Sequence, residues 1–124
     1  MPKTEVVIFR EESGTVLLVE WLDTIQAQAA ERCVAGLVSL SEFGHELRRP
    51  SAAHLGGGIF ELRSKVRGLN LRILYFFSGR TMVVVSHGFV KQRADVPDRE
   101  LRRALSNRRK FEARPITHAF RGGI

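Results

Sequence analysis

Seventeen of the chain's twenty Lys and Arg residues fall between positions 48 and 124, against five acidic residues, so that stretch carries +12. Sixteen of the twenty are Arg, the side chain that grips phosphate with two parallel hydrogen bonds and stacks on planar bases. Segments that read as strands place Arg63, Lys65, Arg72, His87 and Lys91 in this half, with Glu61 as the carboxylate among them. The chemistry this mixture suits is binding of a polyanion, nucleic acid first, with an imidazole that titrates near neutral pH close by. The competing reading is a basic, solvated surface. Residues 1–47 have the opposite balance, three basic residues and eight acidic ones, for −5. Such asymmetry indicates that one side of the molecule meets the anionic partner.

The rest of the composition narrows the field. A length of 124 residues is one domain's worth, and 44% hydrophobic with 27% charged residues is ordinary for a soluble globular chain. The lone Cys33 excludes an internal disulfide and a cysteine zinc cage, and its apolar helical setting predicts a buried thiol. No signal-peptide form or long apolar run is present, so a cytoplasmic location and no membrane partner are expected. Nucleotide-binding glycine motifs and the HExxH zinc motif are lacking. His45, His54, His87 and His118 are too scattered to nominate a metal site.

The elements that must position the cations can be read along the chain. Glu5–Arg10 reads as a short strand ending in a turn at Ser13-Gly14. Thr15–Trp21 is ambiguous: it could return as a hairpin strand, yet Leu18, Trp21, Leu22 and Ile25 have helical spacing. A second helix places Ala30, Val34, Leu37, Val38 and Ser41 on one face with Cys33 and Leu40 beside them, until Gly44 caps it. Gly56-Gly57-Gly58 then admits a strand from Ile59 to Lys65, a second from Leu71 to Phe77 and a third from Thr81 to Val90, joined by tight turns. A last helix is expected after an Asp95 cap, with Leu101, Ala104, Leu105 and Phe111 inward and Arg99, Arg102, Arg103, Arg108, Arg109 and Lys110 on its other faces. The expected fold is α+β: a small antiparallel β-sheet with two N-terminal helices packed on one face and a C-terminal helix, the opposite face being free for a ligand. Residues 1–112 are expected to form this single domain, and 113–124 an irregular or disordered tail.

Three linked motifs carry a resemblance. The run Leu55-x-x-Gly58-Ile-Phe-Glu61-Leu-Arg63, then Leu71-Arg72-Ile-Leu-Tyr75-Phe-Phe, then His87-Gly88-Phe89-Val-Lys91, preceded by Phe43-Gly-x-Glu-Leu-Arg48-Arg49-Pro50, resembles the phage-derived HigB-like branch of the RelE/HigB toxins. The match runs in order from about residue 3 to about residue 111, and it favours a helix over a hairpin at residues 16–26. The resemblance implies a toxin of a toxin-antitoxin pair, an endoribonuclease that cuts mRNA on the ribosome and is silenced by a cognate helix-turn-helix antitoxin. It implies neither metal nor cofactor: the substrate's 2′-hydroxyl attacks the adjacent phosphorus and leaves a cyclic phosphate. Such a site needs fixed cations at the phosphoryl oxygens, an acceptor for the hydroxyl proton and a donor for the leaving oxygen.

On this resemblance Arg72 is the phosphate and transition-state clamp, because Arg72-x-x-Tyr75 matches a recurrent functional Arg of the superfamily. Its alternative is an Arg exposed on a strand, or one paired with Glu61. Arg63 holds the same phosphate or the next. His87 and Lys91 are the other catalytic candidates; His87 is the histidine inside a matched motif, although a lone His beside Gly and Phe is often structural. Lys65, Arg67, Arg93, Arg48 and Arg49 are candidates for RNA binding, as are Tyr75 and Phe89 through base stacking, although core packing is the commoner role for both rings. Glu61 is either the base or the group that orients an Arg. The superfamily's carboxyl-terminal Tyr after the last strand is missing here, which leaves proton transfer open. A non-catalytic nucleic-acid-binding module, or a protein-interaction module of phage or mobile-element origin, is the alternative function.

Overall fold

The computed structural model describes residues 4–92 and 94–122. Its order is β1 (Glu5–Phe9), α1 (Leu17–Thr24), α2 (Ala27–Phe43), β2 (Ala52–Gly56), β3 (Ile59–Val66), β4 (Leu69–Ser78), β5 (Met82–Lys91), α3 (Asp98–Ala113) and β6 (Ala119–Phe120). The strands make one sheet in the order β2-β3-β4-β5-β1-β6, antiparallel throughout except for the parallel pair of β1 with β5. The class is α+β, in line with a RelE-like arrangement. No helix among the described residues is long and apolar enough to cross a membrane.

Tight turns set the register of the meander. Val66 pairs with Leu69, so Arg67-Gly68 is a two-residue loop, and both residues have positive φ, as the twist-matched hairpin turn demands. Period-two alternation then divides the strands between two cores. Leu62, Leu71, Ile73, Tyr75, Val83 and Val85 face α1 and α2, while Ile59, Leu74, Phe76, Val84 and Phe89 face α3. The sheet is therefore covered on both sides. The face expected to be free for a ligand is occupied by α3, because Ala104 and Phe111, with Leu101 and Leu105 at their flanks, bury an apolar stripe against it.

Four further expectations are corrected. Strand β2 was not foreseen: Ala52-Ala53-His54-Leu55 has little intrinsic strand preference and is held by pairing to β3. On α2 the buried residues are Ala29, Cys33, Leu37 and Leu40, while Val38 is 52% exposed. Leu37, Cys33 and Leu40 are buried as expected and Ala30 and Val34 pack at the core's edge; the buried stripe is rotated slightly, taking in Ala29 and leaving Val38 out. Asp95 does not cap α3; Pro97 occupies that position, with Asp98 and Glu100 supplying the negative charge that the helix start favours. The tail is not irregular throughout: β6 pairs with Ile8 and Phe9. His118 there is buried, stacks on Phe9 and hydrogen-bonds the Arg10 carbonyl oxygen through Nδ1 at 2.8 Å.

Gly88 shows how tightly α1 is seated. A Cβ at this position would run into the Trp21 indole. Gly88→Ala is expected to cost about 1–3 kcal/mol through overpacking, visible as a lower urea midpoint; an unchanged midpoint would contradict the close seating of Trp21.

Candidate active site

Register gathers residues that lie far apart in sequence. Three rungs cross β3, β4 and β5 on the α3 side: Glu61–Leu74–His87, Arg63–Arg72–Phe89 and Lys65–Asn70–Lys91. The last two bring the strand cations together where the sheet meets the start of α3.

At the centre, Arg72 and Glu61 are each 5% exposed. Arg72 Nε lies 3.1 Å from Glu61 Oε1. The two atoms are close enough to pair as charges but out of line for a hydrogen bond, and neither makes another hydrogen bond. Arg72 Nη1 donates to the Leu71 carbonyl at 3.0 Å. Burial lowers the Arg72 pKa, Glu61 opposes that, and the neighbouring charge of Arg63 lowers it further. An arginine keeps its proton regardless. Arg72 is thus a buried, charged guanidinium held against Glu61, and a phosphate reaching it would add negative charge and further acceptors.

Three cavities share Arg63 as a wall, and two of them also touch other strand cations. One of about 420 Å³ lies between the sheet and the start of α3 and is lined in part by Arg49, Glu61, Arg63, Lys91 and Asp95. The other, about 330 Å³, takes in Arg32, Ser51, Arg63, Lys65, Asn70 and Arg72. Arg63 and Lys91 are half-buried, and Lys65 and Arg49 exposed, so these are the cations an incoming anion meets before Arg72. Sequence reasoning missed Asp95 as a cavity residue, having read it as a cap. It also missed Arg32, whose signal was there: it is the sole Lys or Arg from residue 11 to residue 47.

Other candidates lie elsewhere. Tyr75 is buried in the core beneath α1 and α2, where burial pushes its hydroxyl pKa up to about 12. Phe89 is buried in the core beneath α3. Neither offers a ring face to a base, because each points inward from its strand. Arg67 sits in the β3–β4 turn and donates to Gln28 Oε1 at 2.8 Å. Arg48 is exposed in the loop before β2. Arg93 lies outside the described residues.

His87 is also not in either cavity. Tyr75 pairs with Val85 and Leu74 with His87, so Ser86 is an extra residue, and this bulge turns Ser86 and His87 together toward α3. Asn107 Nδ2 donates to Ser86 Oγ at 2.9 Å. With that oxygen fully buried, its own hydrogen is directed to His87 Nδ1 at 2.8 Å, which leaves Nε2–H to donate to Glu100 Oε1 at 3.0 Å. This assignment of donors goes with a neutral imidazole, the form that burial favours. Desolvation lowers the His87 pKa, Glu100 works against it, and Arg103 adds to the lowering.

A pH dependence follows. Because burial holds the folded-state pKa below 6.5, the ordinary value of an imidazole, the unfolded chain takes up this proton first. The stabilisation is complete above that value and is lost as the pH falls through it. Urea midpoints measured from about pH 7.5 to pH 5 are expected to fall more steeply for the wild type than for His87→Gln. Parallel curves would contradict the neutral buried imidazole.

Among the described residues, no group of three or more His, Cys, Asp or Glu is placed to hold a metal ion. A scan of family models matches residues 20–109 to the family described as phage-derived protein Gp49-like (DUF891), a span that contains all of the rungs and both cavities. Among curated proteins no match is found. With well over half of its length matched by that model, the chain belongs to the Gp49-like family of phage-derived proteins.

Proposed function

We propose that the protein is the toxin of a toxin-antitoxin pair and acts as an endoribonuclease on mRNA, on translating ribosomes in the cytoplasm. The observation that carries this reading is the buried Arg72–Glu61 pair behind the more accessible cations Arg63, Lys65 and Lys91. Membership of a family related to the RelE-type toxins supports it. In the reaction, O2′ of one nucleotide forms a bond to the adjacent phosphorus, the bond from phosphorus to O5′ breaks, and a cyclic phosphate and a 5′-hydroxyl result. Arg72 and Arg63 hold the two non-bridging oxygens as charge accumulates on them. Glu61 takes the proton from the 2′-hydroxyl, and Lys91, across the same cavity, gives one to O5′. His87 has no part in this scheme, since its ring is locked between Ser86 and Glu100. The partner that silences the toxin is a small helix-turn-helix antitoxin.

One observation favours the non-catalytic reading: the Arg72 side chain is 6% exposed, and the nearest carboxylate already faces it. A binder needs no more than the outer cations. Expression in bacteria separates the two. The toxin reading expects growth arrest that a co-expressed antitoxin relieves and that Arg63→Ala weakens. Normal growth on expression of soluble protein would sink it.

A further inference from the structure

The outer face of α3 holds a second cationic feature that the proposed reaction does not use. At 100° per residue, Arg99, Arg102, Arg103, Arg109 and Lys110 fall on one side of the helix, with only Ser106 and Ala113 between them. All five basic side chains are exposed. From Arg99 to Lys110 the row runs about 16 Å along the axis. Arg99 lies 3.9 Å from Glu100, a carboxylate already engaged by His87. Among the described residues, Arg102, Arg103, Arg109 and Lys110 pair with no acidic group.

We infer that this row is a docking surface for the phosphate backbone of folded RNA, separate from the cavities where the chain would be cut. The inference rests on the RNA-directed reading above and adds to it a site that supplies affinity without chemistry. Three observations support it. The row is dense in Arg, whose planar head suits phosphate. It lacks the apolar or aromatic side chains that form the buried centre of a protein–protein interface. The same helix turns Leu101, on a different side, toward the space shared with Arg63 and Lys91, so the row and the cavity are borne by one element. Backbone contact of this kind is indifferent to sequence and strongly dependent on salt.

The test is a fluorescence-anisotropy titration of the full chain with a short RNA hairpin over a salt series. Wild type is compared with Arg102→Gln/Arg103→Gln/Arg109→Gln and with a control that removes the same charge elsewhere, Arg80→Gln/Arg114→Gln/Arg121→Gln. All six side chains are exposed, so thermal unfolding is expected to be little changed and serves as the check on folding. The slope of log affinity against log salt is expected to fall by about 2–3 in the row variant, given about 0.7–0.9 per phosphate contact, and by less than about 1 in the control.

Equal losses in the two variants would overturn the inference in favour of net charge alone, and so would an unchanged slope in the row variant or no hairpin binding by the wild type. Polyglutamate bound as tightly as the hairpin, with the same sensitivity to the row, would overturn RNA in favour of an acidic protein. Cleavage by the wild type in a translating extract is read alongside. If cleavage occurs without a difference in slope, the docking surface fails alone. If the difference in slope stands and no cleavage occurs, the nuclease reading fails alone.

Discussion

Arg72→Ala is expected to lower RNA cleavage by about 100- to 1000-fold, the loss seen when one fixed donor to a developing oxyanion is removed. The same change also acts on the fold. Glu61 would remain 5% exposed with its counter-charge gone, and breaking a buried pair from one side costs about 3–5 kcal/mol. A loss of activity in this variant alone could therefore be a loss of folded protein. The double variant Glu61→Leu/Arg72→Met separates the two effects, because replacing both charges by apolar groups of similar size is close to neutral for stability. It is expected to unfold at nearly the wild-type urea concentration and still fail to cleave. A double variant that folds and cleaves like the wild type would remove Arg72 from the reaction.

The second large effect is structural. Phe76 is 1% exposed and packs edge-on against Phe111 of α3, with ring centres 6.0 Å apart. It is thus one of the few side chains that fasten α3 to the sheet, and α3 closes one side of the larger cavity through Leu101. Phe76→Ala is expected to cost about 3–5 kcal/mol, a large share of the roughly 5–15 kcal/mol that holds a domain of this kind together. Urea denaturation measures the loss directly. A cost below about 1 kcal/mol would mean that the α3-side core is looser than this packing implies.

How much of this was legible in the sequence differs from element to element, for physical reasons. The turn at Arg67-Gly68 and the alternation in Ile59–Lys65 specify a hairpin locally, so the rung joining Arg63 to Arg72 could be anticipated. The glycine that ends α2 was equally local: Gly44 has φ +50° and its amide hydrogen-bonds the Leu40 carbonyl. In β2 the information is not local at all, since an Ala-Ala-His-Leu segment becomes a strand only when β3 offers its edge.

The face of α2 was underdetermined rather than hidden. A stripe that takes in Ala29 and leaves Val38 out is as apolar as the expected one, and the choice belongs to tertiary packing. The choice between a catalytic and a structural His87 was open for a similar reason: whether the ring faces solvent depends on a one-residue bulge and on Asn107 and Glu100, which α3 brings to it. The Arg72–Glu61 contact was foreseeable as one alternative, because both residues face the same side of neighbouring strands. Its burial was not, since that depends on α3 covering a face the sequence left open.

The account turns on whether the buried Arg72 and the cations around it serve to cut RNA. The direct measurement is a map of mRNA ends after adding purified protein to translating ribosomes, with Glu61→Leu/Arg72→Met as the control. The expected result is new 3′ ends carrying a cyclic phosphate, paired with 5′-hydroxyl ends, from the wild type and about 100-fold fewer from the control. Intact mRNA with folded wild-type protein, or the same ends at the same rate from the control, would contradict it.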